Sequence, residues 1–249
     1  MGTGKRARAF GVLLAGLLAA SGLAFLLPRF SPAQDSGYGL KANLDLPVNA
    51  GLGSDDEEED APEVVLFYGA QYEASAICFA LDESGSMTEQ GRWQLQTREV
   101  IRAINELSGE AEFSVVYYGS RVTAYRNQPV KASSANKAAG INFVKSRNPN
   151  GDTCIGEGTT TALQIVRRST GAHRVVIVTS DGRPDVCATG NLASPAEQQR
   201  ILAQTVSANP GLTVQVHAIF VGRSNEPEAI EFMRRLARAH GGTFRLVSR

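Results

Sequence analysis

From residue 63 onward, apolar positions follow two alternating spacings. Residues 75–81 (SAICFAL) and 173–179 (HRVVIVT) are apolar almost throughout, the pattern of strands covered on both faces. Residues 212–221 read as another central strand. Residues 113–118 form a further strand, and 121–125, after a tight turn at Gly119, its antiparallel neighbour. Residues 64–68 read as a short strand leading in, and 243–247 as the last strand. Between these lie stretches of helical spacing. Residues 93–107 place Leu95, Val100, Ile101, Ile104 and Leu107 on one face. Residues 135–144, 157–168, 195–208 and 228–240 complete the helices; Ser194 is placed to cap the fourth, with Pro195 in its first turn, and Gly241 and Gly242 close the last.

Strand and helix alternate almost to the end, with no internal repeat. That order predicts an α/β domain over residues 63–249: a doubly wound, mostly parallel six-stranded sheet with one antiparallel edge strand and helices on both faces. Ligands of such sheets bind outside the carboxyl ends of the strands.

The chain ahead of residue 63 has a different texture. Residues 5–8 (KRAR) are basic and residues 10–27 are uncharged and apolar, so residues 1–30 have the layout of a signal peptide or an N-terminal membrane anchor. Ser31 and Ala33 offer small residues before a cut ahead of Gln34; the run is also near the length of a transmembrane helix, and both outcomes stay open. Either one implies export to a periplasmic or other extracytoplasmic location, anchored to the cytoplasmic membrane by residues 10–27 if uncleaved. Residues 31–62 contain Asp55, Asp56, Glu57, Glu58, Glu59 and Asp60 and read as a disordered acidic linker.

Composition adds exclusions. Twenty-five Lys plus Arg balance twenty-five Asp plus Glu, which gives no electrostatic case for nucleic acid. The 43% apolar content suffices for one sizeable core. Three cysteines with no matching histidine cluster make no zinc site. Cys78 lies in an apolar strand. Cys154 and Cys187 lie in loops that meet at one end of the expected sheet, and an exported chain permits their pairing.

Chemistry gathers after the strands. Leu81 is followed by D-E-S-G-S-M, where Asp82, Ser84 and Ser86, two residues apart, can converge from a turning loop. Thr179-Ser180-Asp181-Gly182 ends the most apolar strand, and Gly151-Asp152-Thr153-Cys154-Ile155-Gly156 precedes a helix. Three loops thus offer two carboxylates and three hydroxyls, hard oxygen donors of the type Mg²⁺ takes. Glu83 is out of phase with the ligand positions and reads as solvent-facing or as added charge just behind the ligands. Asp152 and Asp185 flank the site as ordinary loop charges or as selectors of basic residues around a partner's carboxylate.

Three motifs in this order, D-x-S-G-S after the first strand, G-x-T-x-I-G-x-G before a helix, and a strand ending T-x-D-G, resemble the von Willebrand factor type A (VWA) domain with its metal-ion-dependent adhesion site, of the exported or membrane-anchored bacterial type. The resemblance covers residues 75–249 and implies the Rossmann-like VWA fold. It also implies Asp82, Ser84, Ser86, Thr153 and Asp181 as metal residues, Mg²⁺ with Mn²⁺ or Ca²⁺ as substitutes, and a protein partner whose acidic side chain completes the coordination. Thr153 is preferred for the threonine position because Gly158 follows it at the motif's spacing; Thr159, Thr160 and Thr161 compete for it and otherwise read as first-turn residues whose hydroxyls meet backbone or packing demands.

No metalloprotease, phosphate-loop or nucleophile-elbow motif accompanies these loops. His173, His217 and His240 read as structural. The expected function is therefore a non-catalytic, metal-dependent binding module. The alternative is an assembly subunit of an envelope complex with a dispensable metal site, and a metal-dependent hydrolase ranks below both.

Overall fold

The computed structural model describes residues 62–248. The main sheet has the order β11-β10-β7-β3-β4-β5. Its central strand β3 (Ala76–Asp82) lies between β4 (Glu112–Tyr118) and β7 (Arg174–Ser180). β10 (Gln215–Gly222) and β11 (Phe244–Ser248) extend it on one side, and these five strands are parallel. At the other edge β5 (Val122–Ala124) runs antiparallel to β4, as the tight turn at Gly119 requires. A two-residue strand, β6 (Val130–Lys131), adds a second antiparallel pairing to β4.

Alternation across the pleat divides the core into two layers. Ile77, Phe79 and Leu81 of β3 join Phe113, Val115, Val175 and Ile177 on one face. Ala76, Cys78 and Ala80 join Val116, Val176, Val178 and Phe220 on the other. The first layer is covered by α1 (Arg92–Glu106) and α2 (Ser134–Lys145), the second by α3 (Ile155–Val166), α4 (Pro195–Ser207) and α5 (Pro227–Ala239). The α4 cap is complete: the Ser194 side chain accepts from the Glu197 amide while the Glu197 carboxylate accepts from the Ser194 amide at 2.7 Å.

Two hairpins are additional to the expected elements. β1 (Glu63–Phe67) is the expected lead-in strand, and it folds back onto β2 (Ala70–Ala74) as a separate two-stranded sheet. The connecting residues Tyr68 and Gly69 both have positive φ, 49° and 72°, as a two-residue hairpin turn demands. A tyrosine in the first of these positions carries little turn signal, which is why the hairpin is hard to read from sequence. β8 (Asp185–Val186) and β9 (Asn191–Leu192) form a small hairpin between β7 and α4.

α3 begins at Ile155, two residues earlier than its spacing suggests, so Thr159, Thr160 and Thr161 stand in its second turn and not its first. The early start leaves Gly158 against the Tyr118 ring, where an added Cβ would come within 2.4 Å of Cδ1.

The expectation of a transmembrane segment is corrected: among the described residues no helix is long and apolar enough to cross a membrane. The run 10–27 and the acidic linker lie outside the described residues.

Candidate metal centre

Asp82 is the last residue of β3, at the carboxyl edge of the sheet, and the register sets Leu81 beside Thr179 of β7. Gln96 of α1 clips the two strand ends together: its Nε2 donates to the Asp82 carbonyl at 2.8 Å, and its Oε1 accepts from Thr179 Oγ1 at 2.5 Å. The Tyr118 hydroxyl donates to the Thr179 carbonyl from β4. The backbone from which both acidic side chains emerge is thus fixed by buried groups on a helix and a neighbouring strand.

The Asp82 carboxylate is fully buried. Its Oδ1 accepts from the Ser84 amide and its Oδ2 from the Ser180 hydroxyl, both at 2.7 Å. Burial first, and the charge of Asp181 second, push its pKa up to about 7, while the bonds from Ser84 and Ser180 pull it down. From there a chain of oxygens leads to β7. Ser84 Oγ and Ser86 Oγ are 3.1 Å apart, and Ser86 Oγ donates to Asp181 Oδ1 at 2.7 Å. A hydroxyl has one hydrogen, so with Ser86 donating to Asp181 the Ser84 hydroxyl is the donor of the 3.1 Å bond. The other Asp181 oxygen accepts from Arg92 Nη1 at 2.5 Å, in an ion pair whose side chains are 4% and 0% exposed. Arg92 is the first residue of α1.

Glu83 corrects its solvent-facing expectation. It is 6% exposed and meets Arg147 in a two-pronged pair, Nε to Oε2 at 3.0 Å and Nη2 to Oε1 at 2.6 Å. Its carbonyl accepts from the Asn150 amide at 2.5 Å, and the Gly85 amide donates to the Gly151 carbonyl at 3.0 Å. These bonds lay the loop that carries Thr153 against the loop that carries Ser84. Gly151 takes a φ of 90° there, with Ser120 Oγ where a Cβ would stand.

Thr153 is buried beside this pair of loops, and its hydrogen bonds run to the following hairpin. Its amide donates to Asp185 Oδ2 at 2.7 Å and its carbonyl accepts from the Asp185 amide at 3.0 Å. Burial raises the Asp185 pKa, opposed by bonds from the Thr153 backbone and side chain. Asp152 is engaged by Ser120 at 2.8 Å. Cys154 and Cys187 are joined in a disulfide, tying the same two loops one residue beyond Thr153, whereas Cys78 is free and buried. The Thr159 and Thr160 hydroxyls are buried without a hydrogen-bond partner among the described residues, so they answer packing and not backbone demands.

The structure therefore brings Asp82, Ser84, Ser86 and Asp181 into one hydrogen-bonded chain and sets Thr153 on the adjoining loop. A cleft of about 260 Å³ opens over its end, lined by Ser86, Arg92 and Asp181 and, at its rim, by Glu89, Arg223 and Glu226. Among the described residues no three His, Cys, Asp or Glu side chains cluster as a metal site. The donor set here is of another kind, two carboxylates with hydroxyls, hard oxygens of the type a small cation takes, with Ser84 Oγ, Ser86 Oγ and Asp181 Oδ1 spaced at 3.1 Å and 2.7 Å.

Arg92, Gln96, Ser180 and Arg147 are the residues that sequence reasoning missed. Arg92 and Gln96 stand four apart, on one face of α1, and that spacing is the only sign of their joint approach to the strand ends.

Residues 77–183 match the family model of the von Willebrand factor type A domain. The fold is thereby of the VWA type, with a candidate site at the carboxyl edge of the sheet. Among curated proteins the chain is similar to inter-alpha-trypsin inhibitor heavy chain H1 of Mesocricetus auratus, 28% identical over 116 residues, 43% of this chain and 12% of that one. It is also similar to heavy chain H4 of Homo sapiens, 26% identical over 179 residues, 69% of this chain and 18% of that one. The chain thus spans less than a fifth of the length of either relative. Among solved structures, a von Willebrand factor type A protein from Catenulispora acidiphila superposes with a TM-score of 0.58 at 20% identity, over 76% of this chain and 46% of that one, a likeness of fold.

Proposed function

We propose that this domain is a non-catalytic protein-interaction module that captures an aspartate or glutamate of a partner protein through a Mg²⁺ ion held by Asp82, Ser84, Ser86, Thr153 and Asp181. Mn²⁺ or Ca²⁺ would serve as substitutes. The observation that carries this reading is the linked run from Asp82, which accepts from the Ser84 amide, through the Ser84 and Ser86 hydroxyls to Asp181, bringing oxygen donors of two loops together. Bound there, the ion would supply a Lewis-acidic centre for an anionic oxygen. The protein's own part is to orient the hydroxyls, offset part of the cost of ionising buried Asp82 with bonds from Ser84 and Ser180, and keep the strand ends in register through Gln96. The Cys154–Cys187 bond supports an oxidising location outside the cytoplasm.

One observation favours a second reading. Asp181 has both oxygens occupied by protein groups, Ser86 and Arg92, so the cluster is satisfied without a cation, as in an assembly subunit whose metal site is dispensable. Affinity capture by the full chain, with Mg²⁺ and with EDTA, separates the two. The first reading predicts partner proteins that are lost with EDTA and with Asp82→Ala; retention under both conditions establishes the second.

A further inference from the structure

Resting on that capture reading, we propose that Arg92 is the specificity-determining residue that makes the metal centre seek an anion. The Arg92–Asp181 pair is almost sealed from solvent, so neither bulk water nor a mobile counterion stands in for the guanidinium. Glu83 and Arg147 form a second paired set beside it. Of the buried charges around Asp82, Ser84 and Ser86, only that of Asp82 itself is then unbalanced; Glu89, Arg223 and Glu226 at the rim of the cleft meet solvent, which screens them. A divalent ion set against one net negative charge keeps an excess positive charge, and that excess draws in a carboxylate. Without the guanidinium two carboxylates would cancel the ion, and the drive for a third anion would vanish.

Geometry supports an active role for Arg92 over a purely structural one. The side chain reaches Asp181 from the first residue of α1. Its Nε is buried with no hydrogen-bond partner among the described residues, so part of its donor capacity is unused in the folded protein. It lines the same cleft as Ser86 and Asp181, where an incoming side chain would meet the ion. Arg92 and Ser86 each bond one oxygen of Asp181, so the guanidinium competes with the ion for this carboxylate and polarises it away from the ion. The occupant this predicts is an acidic side chain of a protein, bound by charge excess as well as by coordination.

The guanidinium should repel the metal and attract the anion, so its removal moves the two affinities in opposite directions. Arg92→Gln keeps donors toward Asp181 without the charge, and Arg92→Lys keeps the charge. The full chain is titrated with Mg²⁺ alone by calorimetry, then with sodium acetate at saturating Mg²⁺, read as a shift in Tm. Arg92→Gln should bind Mg²⁺ about tenfold tighter or more and lose the acetate shift, with Arg92→Lys restoring it. Weakening of both affinities in Arg92→Gln, or no change in either, overturns the role of Arg92 and leaves the capture reading standing. Absence of Mg²⁺ uptake by the wild-type chain overturns both.

Discussion

The two ends of the sheet solve the same problem with different chemistry. At the amino edge, Asn209, His240 and Thr205 make a neutral network. Asn209 Nδ2 donates to the Val214 carbonyl at 2.8 Å and to His240 Nδ1 at 2.9 Å, and its Oδ1 accepts from the Val214 amide at 3.2 Å. Since Nδ1 accepts, the proton sits on Nε2, which donates to Thr205 Oγ1 at 3.1 Å, and that hydroxyl donates to Leu202. Nearby, His217 Nδ1 accepts from the Thr243 amide at 3.0 Å. At the carboxyl edge the buried groups include charges: Asp82, Asp181, Arg92 and Glu83, the last paired with the half-buried Arg147. A neutral network that is fully matched holds strands and helices in place. A charged one that leaves a buried carboxylate with a raised pKa and a guanidinium with an unused donor retains capacity for a ligand.

The largest expected effect comes from breaking the charged end. Asp181→Ala strands Arg92 without its partner and should cost about 3–5 kcal/mol in urea denaturation, as loss of one member of a buried pair does. Asn209→Ala, at the neutral end, should cost about 2–3 kcal/mol through the orphaned Val214 groups and His240. Its Mg²⁺ affinity should stay that of the wild type, because nothing at that edge touches Asp82.

The smallest effect distinguishes the ends by sign. His217 and His240 are held down to about 4 by burial, against 6.5 in the unfolded chain. The unfolded chain binds more protons in that window, so their contribution is present above 6.5 and is lost as pH falls toward 4. Asp82 is raised to about 7 from 3.8, so its contribution is present below 3.8 and is lost as pH rises through 7. The two slopes oppose each other in the metal-free protein. Asp82→Asn should therefore steepen the loss of stability between pH 6.5 and 5, and His240→Gln should flatten it, both read from urea midpoints.

Most of the fold was legible because central strands buried on both faces leave continuous apolar runs, as in β3 and β7, and the helices between them keep one apolar face. The first hairpin was not, since its turn rests on Tyr68 in a left-handed conformation. The motif residues of the first and third loops could be read from D-x-S-G-S and T-S-D-G because parallel strands deliver their carboxyl ends to one edge. The groups that hold them there could not. Gln96 and Arg92 act across the sheet edge from a helix, Arg147 reaches Glu83 across 64 positions of sequence, and no spacing rule encodes such meetings. Arg92 bears most on the proposal, because two carboxylates alone would neutralise a divalent ion and the guanidinium would leave the site positive.

Oxygen donors from separate loops at this edge are proposed to hold one hard cation. The decisive experiment is isothermal calorimetry of the full chain with MgCl₂ at pH 7.5, beside Asp82→Ala. Saturable uptake of one ion per chain by the wild type, lost in the variant, is the predicted result. Heats no larger than dilution for both proteins, with Mn²⁺ giving the same, would contradict it.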